Sequence, residues 1–336
     1  MLDLPVLGVD TACILARIAR TKAPLKLVLK TKDDPYFLPQ WIQHHRKIVG
    51  DGNLIILDNG STDPGVVSIY ERERNDILIA RLDGLHYDLS YPGGRFAPLY
   101  SALRASSQFF MFIDTDEFIG HYDGKRISFD ERILEPLTTV PGNCGFVPST
   151  WLQCVTGFRD RFLCGADETT LRYGLKWGKP ILNARCTGLP ELVNHNTHLK
   201  GYLRPSALAG YFLLHLSRLS PKQRIRANVN KLVARGVMGQ GDTVEDLWNK
   251  DFSTMPAVVR MFVDEIRELT LLPDDCADGT APLSRGMMKI SESGALVFAS
   301  DLEAMTFNSY FKGFSPACTD VLEGPPNSPA KVFRIE

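Results

Sequence analysis

Two apolar runs in this chain stop abruptly in acidic turns. Residues 53–57 (NLIIL) run into DNGSTD, and residues 108–113 (QFFMFI) run into DTDEF. Uninterrupted apolar runs of this length mark strands buried on both faces, as parallel sheets bury them. Residues 25–30 (LKLVLK) and 77–82 (ILIARL) fit the same reading. Between the first two runs lies FLPQWIQHHRKI, where Phe37, Leu38, Trp41, Ile42 and His45 recur at helical spacing. That spacing predicts a helix over 39–49, ended by Gly50 and Gly52. Residues 64–75 and 95–107 are expected to be helical as well. The alternation of strand and helix predicts an α/β fold: a mostly parallel, Rossmann-like sheet flanked by helices. Such sheets bind ligands outside the carboxyl ends of their strands, where the connections reverse. Both acidic turns are expected at that place.

Beyond the acidic turn at 114–118, further strands are expected at 144–155 and 179–187. An amphipathic helix is expected at 221–236, with Ile225, Val229, Leu232 and Val233 on one side. TVEDLWNK and PAVVRMFVDEIRELTLL predict two more helices. The expected organisation is an arm (1–23), an α/β domain (24–200), a mainly helical region (201–323) and a Pro-rich flexible tail (324–336). Lys and Arg number 38 and Asp and Glu 39, for a net charge of −1. That balance gives electrostatics no grip on nucleic acid. No apolar run reaches the roughly 18 residues of a membrane span. The seven cysteines are scattered without a C-x-x-C pair. They read as reduced thiols of a cytoplasmic protein, and Asp3 and Asp10 stand where an export signal carries basic residues. The basic side chains of the 221–236 helix (Lys222, Arg224, Arg226, Lys231, Arg235) have two readings. One is a peripheral contact with an anionic membrane face, the other the solvated side of a packed helix.

The chemistry is concentrated in Asp114-Thr115-Asp116. Residues two apart on an extended chain point the same way, so this triplet places two carboxylates on one side at a strand end. Such an oxygen-rich site suits Mg²⁺ or Mn²⁺ shared with a diphosphate. Glu117 adds a third carboxylate, and Phe118 returns to the core. In the turn after the second strand, Asp58 is placed to accept from a nucleobase or ribose, with Gly60 allowing close backbone approach. Asp63 reads as a helix cap. The H-x-x-H pair, His195 and His198, offers an imidazole to complete the metal shell. His215, in YFLLHLSRL, reads as a core histidine. Arg95, Lys176, Lys179 and Arg185 are candidate phosphate holders or solvated charges. Trp151 and Trp177 are candidates to stack on a sugar or base, or core residues. The chain has no G-x-x-x-x-G-K-[ST], no G-x-G-x-x-G after its first strand and no G-x-S-x-G. P-loop, dinucleotide-binding and α/β-hydrolase chemistry are thereby disfavoured.

The run KTKDDPYFLPQWIQHHRKIVGDGNLIILDNGSTD followed by FFMFIDTDEFI resembles the family 2-type glycosyltransferases of the GT-A fold, nearest to a family 92-like branch. That branch has an E-W-x-x-x-H helix, a D-N-x-S-x-D turn and a D-x-D-E-F strand end. Here Gln40-Trp41 replaces Glu-Trp, and the helix histidine falls at His45 or His44. The likeness is close over about 25–120 and looser to about 235. It includes Lys179-Pro180-Ile181 and the His215, Ser217 stretch ahead of the basic helix. The resemblance implies a transferase that takes a sugar from a nucleoside-diphosphate donor to a hydroxyl acceptor, a glycan or lipid-linked glycan of the cell envelope. It implies donor contacts from Lys32, Asp33, Asp58, Arg95, Asp114 and Thr115. Mn²⁺ or Mg²⁺ would be held by Asp114 and Asp116 with His195 or His198. It also implies a carboxylate base, for which Asp160, Asp167, Glu168 and Glu191 are candidates, Glu191 and Asp160 being preferred. A nucleotidyltransferase and a non-catalytic nucleotide-sugar-binding relative are the alternatives.

Overall fold

The computed structural model describes residues 2–84, 88–124, 127–154, 162–163, 174–186, 188–208, 210–217, 220–239, 241–272, 287–290 and 296–298. Its centre is a sheet of β1 (Ala23–Thr31), β2 (Leu54–Asp58), β3 (Leu78–Arg81) and β4 (Ser107–Ile113), all parallel. The order is β3-β2-β1-β4, so the connections step outward from β1 and then reverse to place β4 on its other side. Helices α1 (Thr11–Ala19), α2 (Leu38–Val49), α3 (Pro64–Glu73) and α4 (Ala97–Ser106) cover it. Two short antiparallel strands extend the β4 edge. The fold is thus α/β with a mostly parallel central sheet flanked by helices.

Alternation along β1 explains the apolar runs. Leu25, Leu27 and Leu29 enter a core with Trp41 and Ile42 of α2 and Val66 and Tyr70 of α3. Val28 points the other way, into a core with Ile14 and Ile18 of α1 and Leu99 and Leu103 of α4. With both faces covered, a strand has no solvated side to make polar.

The remaining strands are β5 (Glu117–Tyr122), β6 (Ile127–Ser128), β7 (Phe146–Val147), β8 (Thr150–Cys154), β9 (Phe162–Leu163), β10 (Ile181–Asn183), β11 (Tyr211–His215), β12 (Met287–Ile290) and β13 (Leu296–Phe298). β10 and β7 are the two that extend the first sheet. The others form a second sheet, in the order β13-β12-β9-β8-β11-β5-β6. Sequence pattern predicts one strand over 144–155. The structure breaks that run into β7 and β8, which belong to different sheets. The second sheet shares the α2 core through Ile119, Phe212 and Leu213. A third core, including Leu232, Phe262, Val263 and Ile266, joins α5 (Pro221–Ala234), α6 (Val244–Leu247) and α7 (Ala257–Thr270). At the far edge of the first sheet the chain before α1 docks on β3. Arg81 N–H donates to Pro5 O (2.7 Å) and Leu7 N–H to Arg81 O (2.9 Å). No described helix is long and apolar enough to cross a membrane.

Gly178 lies against the link between β7 and β8. A Cβ there would lie 1.8 Å from the Ser149 carbonyl oxygen. Gly178→Ala is expected to destabilise the fold by about 1–3 kcal/mol, as overpacking against rigid backbone does. Gly93→Ala, where a Cβ meets nothing within 4 Å, is expected to stay within about 0.5 kcal/mol. Paired urea unfolding curves measure the contrast.

Candidate active site

The site is built at the carboxyl ends of β1, β2 and β4. Asp58 closes β2 and is 4% exposed. Its carboxylate accepts from the N–H of Gly60 (3.1 Å) and Ser61 (3.0 Å), the Ser61 hydroxyl and the Tyr70 phenol (3.0 Å). Burial, then the Asp58 charge, raises the Tyr70 pKa, so the phenol stays a donor. Gly60 takes φ 77°, which only glycine adopts freely. The D-N-G-S turn is therefore held from inside by its own aspartate, with the carboxylate oxygens turned toward the backbone.

The loop after β1 is tied to this turn. Asp33 adopts φ 48°, a left-handed conformation that Asp tolerates better than most residues. Its Oδ1 accepts from the N–H of Thr62 (2.6 Å) and Asp63 (2.8 Å), and its own N–H donates to Ser61 Oγ (2.9 Å). Lys32 beside it is exposed. Asp63 caps α3, as its position predicts. Asp34, which sequence reasoning passed over, links three elements. Its Oδ1 accepts from Phe37 N–H ahead of α2 (3.0 Å), and its Oδ2 accepts from Thr115 Oγ1 (2.6 Å). That second bond spans the switch between β1 and β4. Burial raises the Asp34 pKa, opposed by these two hydrogen bonds.

In the acidic turn, Asp114 and Asp116 keep side-chain exposures of 36% and 22%, while Glu117 is fully buried. Glu117, which adds a third carboxylate to the turn, thus faces inward, away from the two aspartates' exposed side. Asp114 Oδ2 pairs with Lys179 Nζ at 2.9 Å, and that ammonium also donates to Asn194 Oδ1 (2.9 Å). Lys179, expected among the phosphate holders or solvated charges, is 2% exposed and serves the aspartate. Asp116 Oδ2 lies 3.6 Å from His215 Nε2. Burial works to raise the Asp116 pKa, but His215 outweighs it and the net direction is down. Lys30, buried near Asp88 and Asp114, has its pKa pulled down to about 8 by burial against the pull of those carboxylates. Arg95 pairs with Asp88 at 2.8 Å. Lys231 of α5 is lowered to about 8 by burial and by Arg224, against the pull of Asp116, Glu265 and Asp114. Two of the helix's basic side chains thus turn inward, Arg224 onto Glu265 (2.9 Å) and Lys231 toward the acidic turn. Lys222, Arg226 and Arg235 remain exposed.

The histidines are distributed differently from the sequence expectation. The imidazole that reaches Asp116 is His215, not His195 or His198. Both ring nitrogens of His195 are occupied, Nδ1 by Trp177 O (2.7 Å) and Nε2 by Asn194 Nδ2 (3.1 Å). His198 Nδ1 accepts from His195 N–H (3.0 Å), and burial and Lys179 lower its pKa to about 4. These two rings brace their own loop. Among the described residues no group of three or more His, Cys, Asp or Glu side chains is arranged to hold a metal. The shell expected from Asp114 and Asp116 with one of His195 and His198 is not assembled among them. What remains is a carboxylate pair, which suits a hard cation only when substrate phosphate and water supply its other ligands. Glu191 is exposed, two residues before Val193, whose N–H donates to Ser90 O (2.9 Å). Asp160, Asp167 and Glu168 lie outside the described residues.

Thr115→Val removes the donor to the half-buried Asp34 carboxylate and is expected to cost about 0.5–1.5 kcal/mol at neutral pH. The folded-state pKa of Asp34 is raised, so its ionised form penalises folding above that pKa and not below the unfolded value. The loss is expected to shrink as pH falls through the raised pKa, which unfolding curves at several pH values measure.

No family model matches the chain, and no curated protein matches it. Solved structures do show likeness. Staphylococcus aureus TarS is 14% identical, with a TM-score of 0.34, over 77% of this chain and 46% of that one. The chain therefore spans under half of that protein's length. TarS 1–349 in complex with UDP is 16% identical, with a TM-score of 0.32, over 72% of this chain and 70% of that one. Mannosyltransferase PcManGT from Pyrobaculum calidifontis, in complex with GDP-Man and Mn²⁺, is 11% identical, with a TM-score of 0.34, over 90% of this chain and 88% of that one.

Proposed function

We propose that this chain is a glycosyltransferase of GT-A type that moves a sugar from a nucleoside diphosphate to a hydroxyl acceptor. One observation carries the reading. Asp114 and Asp116, both part-exposed, stand at the end of β4 beside the point where the sheet's connections reverse. The loops carrying Asp33 and Asp58 stand at the ends of the two strands on the other side. Parallel sheets present ligands at that lip, and a carboxylate pair there suits a diphosphate escorted by a divalent cation. The resemblance of the DNGSTD and DTDEF segments to the family 2-type glycosyltransferases supports the same reading.

In this reading Asp114 and Asp116 hold Mn²⁺ or Mg²⁺, which when bound neutralises the departing diphosphate. Lys179 aims Asp114 through their ion pair, and His215 favours the ionised form of Asp116. The Asp33–Ser61–Asp58 network fixes the backbone against which a nucleoside would rest. Arg95, Lys30 and Thr115 stand nearby as donor contacts. A carboxylate takes the acceptor proton, with Glu191 and Asp160 as its candidates. The acceptor is a glycan or lipid-linked glycan, and the exposed Lys222, Arg226 and Arg235 offer a surface to the anionic headgroups around the latter. A nucleotidyltransferase is disfavoured because the loop after β1 is acidic, and Asp33 itself occupies the Thr62 and Asp63 N–H groups, leaving neither to cradle phosphate.

Melting with a panel of nucleotide sugars, with and without Mn²⁺, tests the reading. A bound donor at 100 times its Kd stabilises by about 2.7 kcal/mol and raises Tm. Asp116→Ala is expected to lower turnover of that donor by about 10²–10³-fold, as loss of one charge-stabilising group does. Unchanged turnover in that variant would remove the mechanism. Donor binding without hydrolysis or transfer at any metal concentration would favour the non-catalytic relative.

A further inference from the structure

The acidic turn does not hold its shape by its own bonds alone. Glu117 is fully buried and has both carboxylate oxygens committed. Oε2 accepts from the Asp114 N–H at 2.9 Å, and Oε1 accepts from the Trp151 indole N–H at 2.7 Å. The register of the second sheet creates this arrangement. Glu117 of β5 faces His215 of β11, and His215 faces Gln153 of β8. Residues in register, and residues two apart, share a face of a sheet. Glu117, His215, Gln153 and Trp151 therefore stand on one side. The Trp151 ring lies on the His215 ring, with centroids 4.2 Å apart and planes at 23°. Gln153 Oε1 meets His215 Nδ1 at 2.9 Å, which leaves Nε2 directed at Asp116.

We infer that Glu117 is a positioning residue that sets both aspartates of the turn at once. It fixes Asp114 through that residue's own N–H. It fixes Asp116 through Trp151, whose ring holds the imidazole that meets Asp116. This deepens the proposed function and rests on it for the meaning of the two aspartates.

Both partners of Glu117 are N–H donors, so an acceptor is needed on each side. A glutamine supplies one acceptor and one NH₂, and the NH₂ must face a donor. Phenylalanine at 151 removes the indole donor and keeps a ring over His215. Glu117→Gln is therefore expected to lower kcat/KM about tenfold, mainly in kcat, the size of one lost hydrogen bond at the upper end of its usual range. Trp151→Phe alone is expected to lose about threefold, the lower end of a single hydrogen bond's worth. The double variant is expected to be no slower than Glu117→Gln, because the donor clash is gone. ¹⁵N-labelled protein gives a second readout. The Asp114 amide and Trp151 indole resonances should move in Glu117→Gln, and the Asp114 amide should return toward its wild-type position in the double variant.

Multiplied losses in the double variant, or unmoved resonances with unchanged kcat/KM in Glu117→Gln, would overturn the inference. If Glu117→Gln fails to fold, Trp151→Phe decides alone: an unmoved Asp114 amide and unchanged kcat overturn it, and a shift with lowered kcat supports it. A wild-type protein that turns over none of the UDP- and GDP-sugars tested would sink the proposed function. The two resonances would still decide whether Glu117 grips the turn.

Discussion

The pairing of β1 with β4 is the constraint on which the rest of the molecule depends. Leu29 stands opposite Ile113 on one side of β1, and Thr31 opposite Asp58 on the other. Three strand ends are thereby brought level, and each releases a loop rich in carboxylates at the same lip. The loops then bind one another, Asp33 to the 58–63 turn and Thr115 to Asp34, so the lip is a single hydrogen-bonded rim. Without parallel pairing in that register, the same residues would be unrelated acidic turns.

So many acids at one lip, Asp58 and Glu117 of them buried, require compensation, because a carboxylate removed from water without partners is costly. Each acid has its own answer. Asp58 is satisfied by backbone and hydroxyl donors, Asp114 by a lysine, Asp116 by an imidazole and Glu117 by two N–H groups. The basic side chains that answer them reach the rim from β1, β11 and α5 and from the segment just before β10. The site is thus a convergence of distant parts of the chain.

The parallel half of the fold was legible because its signal is local. LKLVLK, NLIIL, ILIARL and QFFMFI each report double-sided burial within a few residues, and the helices between them carry their own periodicity. The two acidic turns were legible for the same reason. The second sheet was not, because its strands are short and several pair across long separations, as β5 with β11. Nothing near YFLLH announces that Tyr211 will sit opposite His121. The part played by His215 escaped the sequence for that reason. H-x-x-H at 195 and 198 is conspicuous as a local pattern, but the imidazole that meets Asp116 is chosen by the β5–β11 register. Glu117 was counted only as a third carboxylate of the turn, because D-x-D-E spacing gives no hint that the chain turns it beneath the strand end. Asp34 was missed although the D-D-P-Y segment carries a capping signal, since its second partner, Thr115, is remote in sequence.

One structural detail bears on how the molecule lives among its copies. Strand β3 ends the first sheet, and the backbone at Arg81 is met on its open side by Pro5 and Leu7. A bare rim of a sheet is a template for any extended polypeptide. The 5–7 segment works as a stub of a further strand, occupying the place where a foreign chain would zip on. Its loss would strip only Leu7 from one face of the core while opening a seam to neighbours, and the cost would surface as self-association before it surfaced as unfolding.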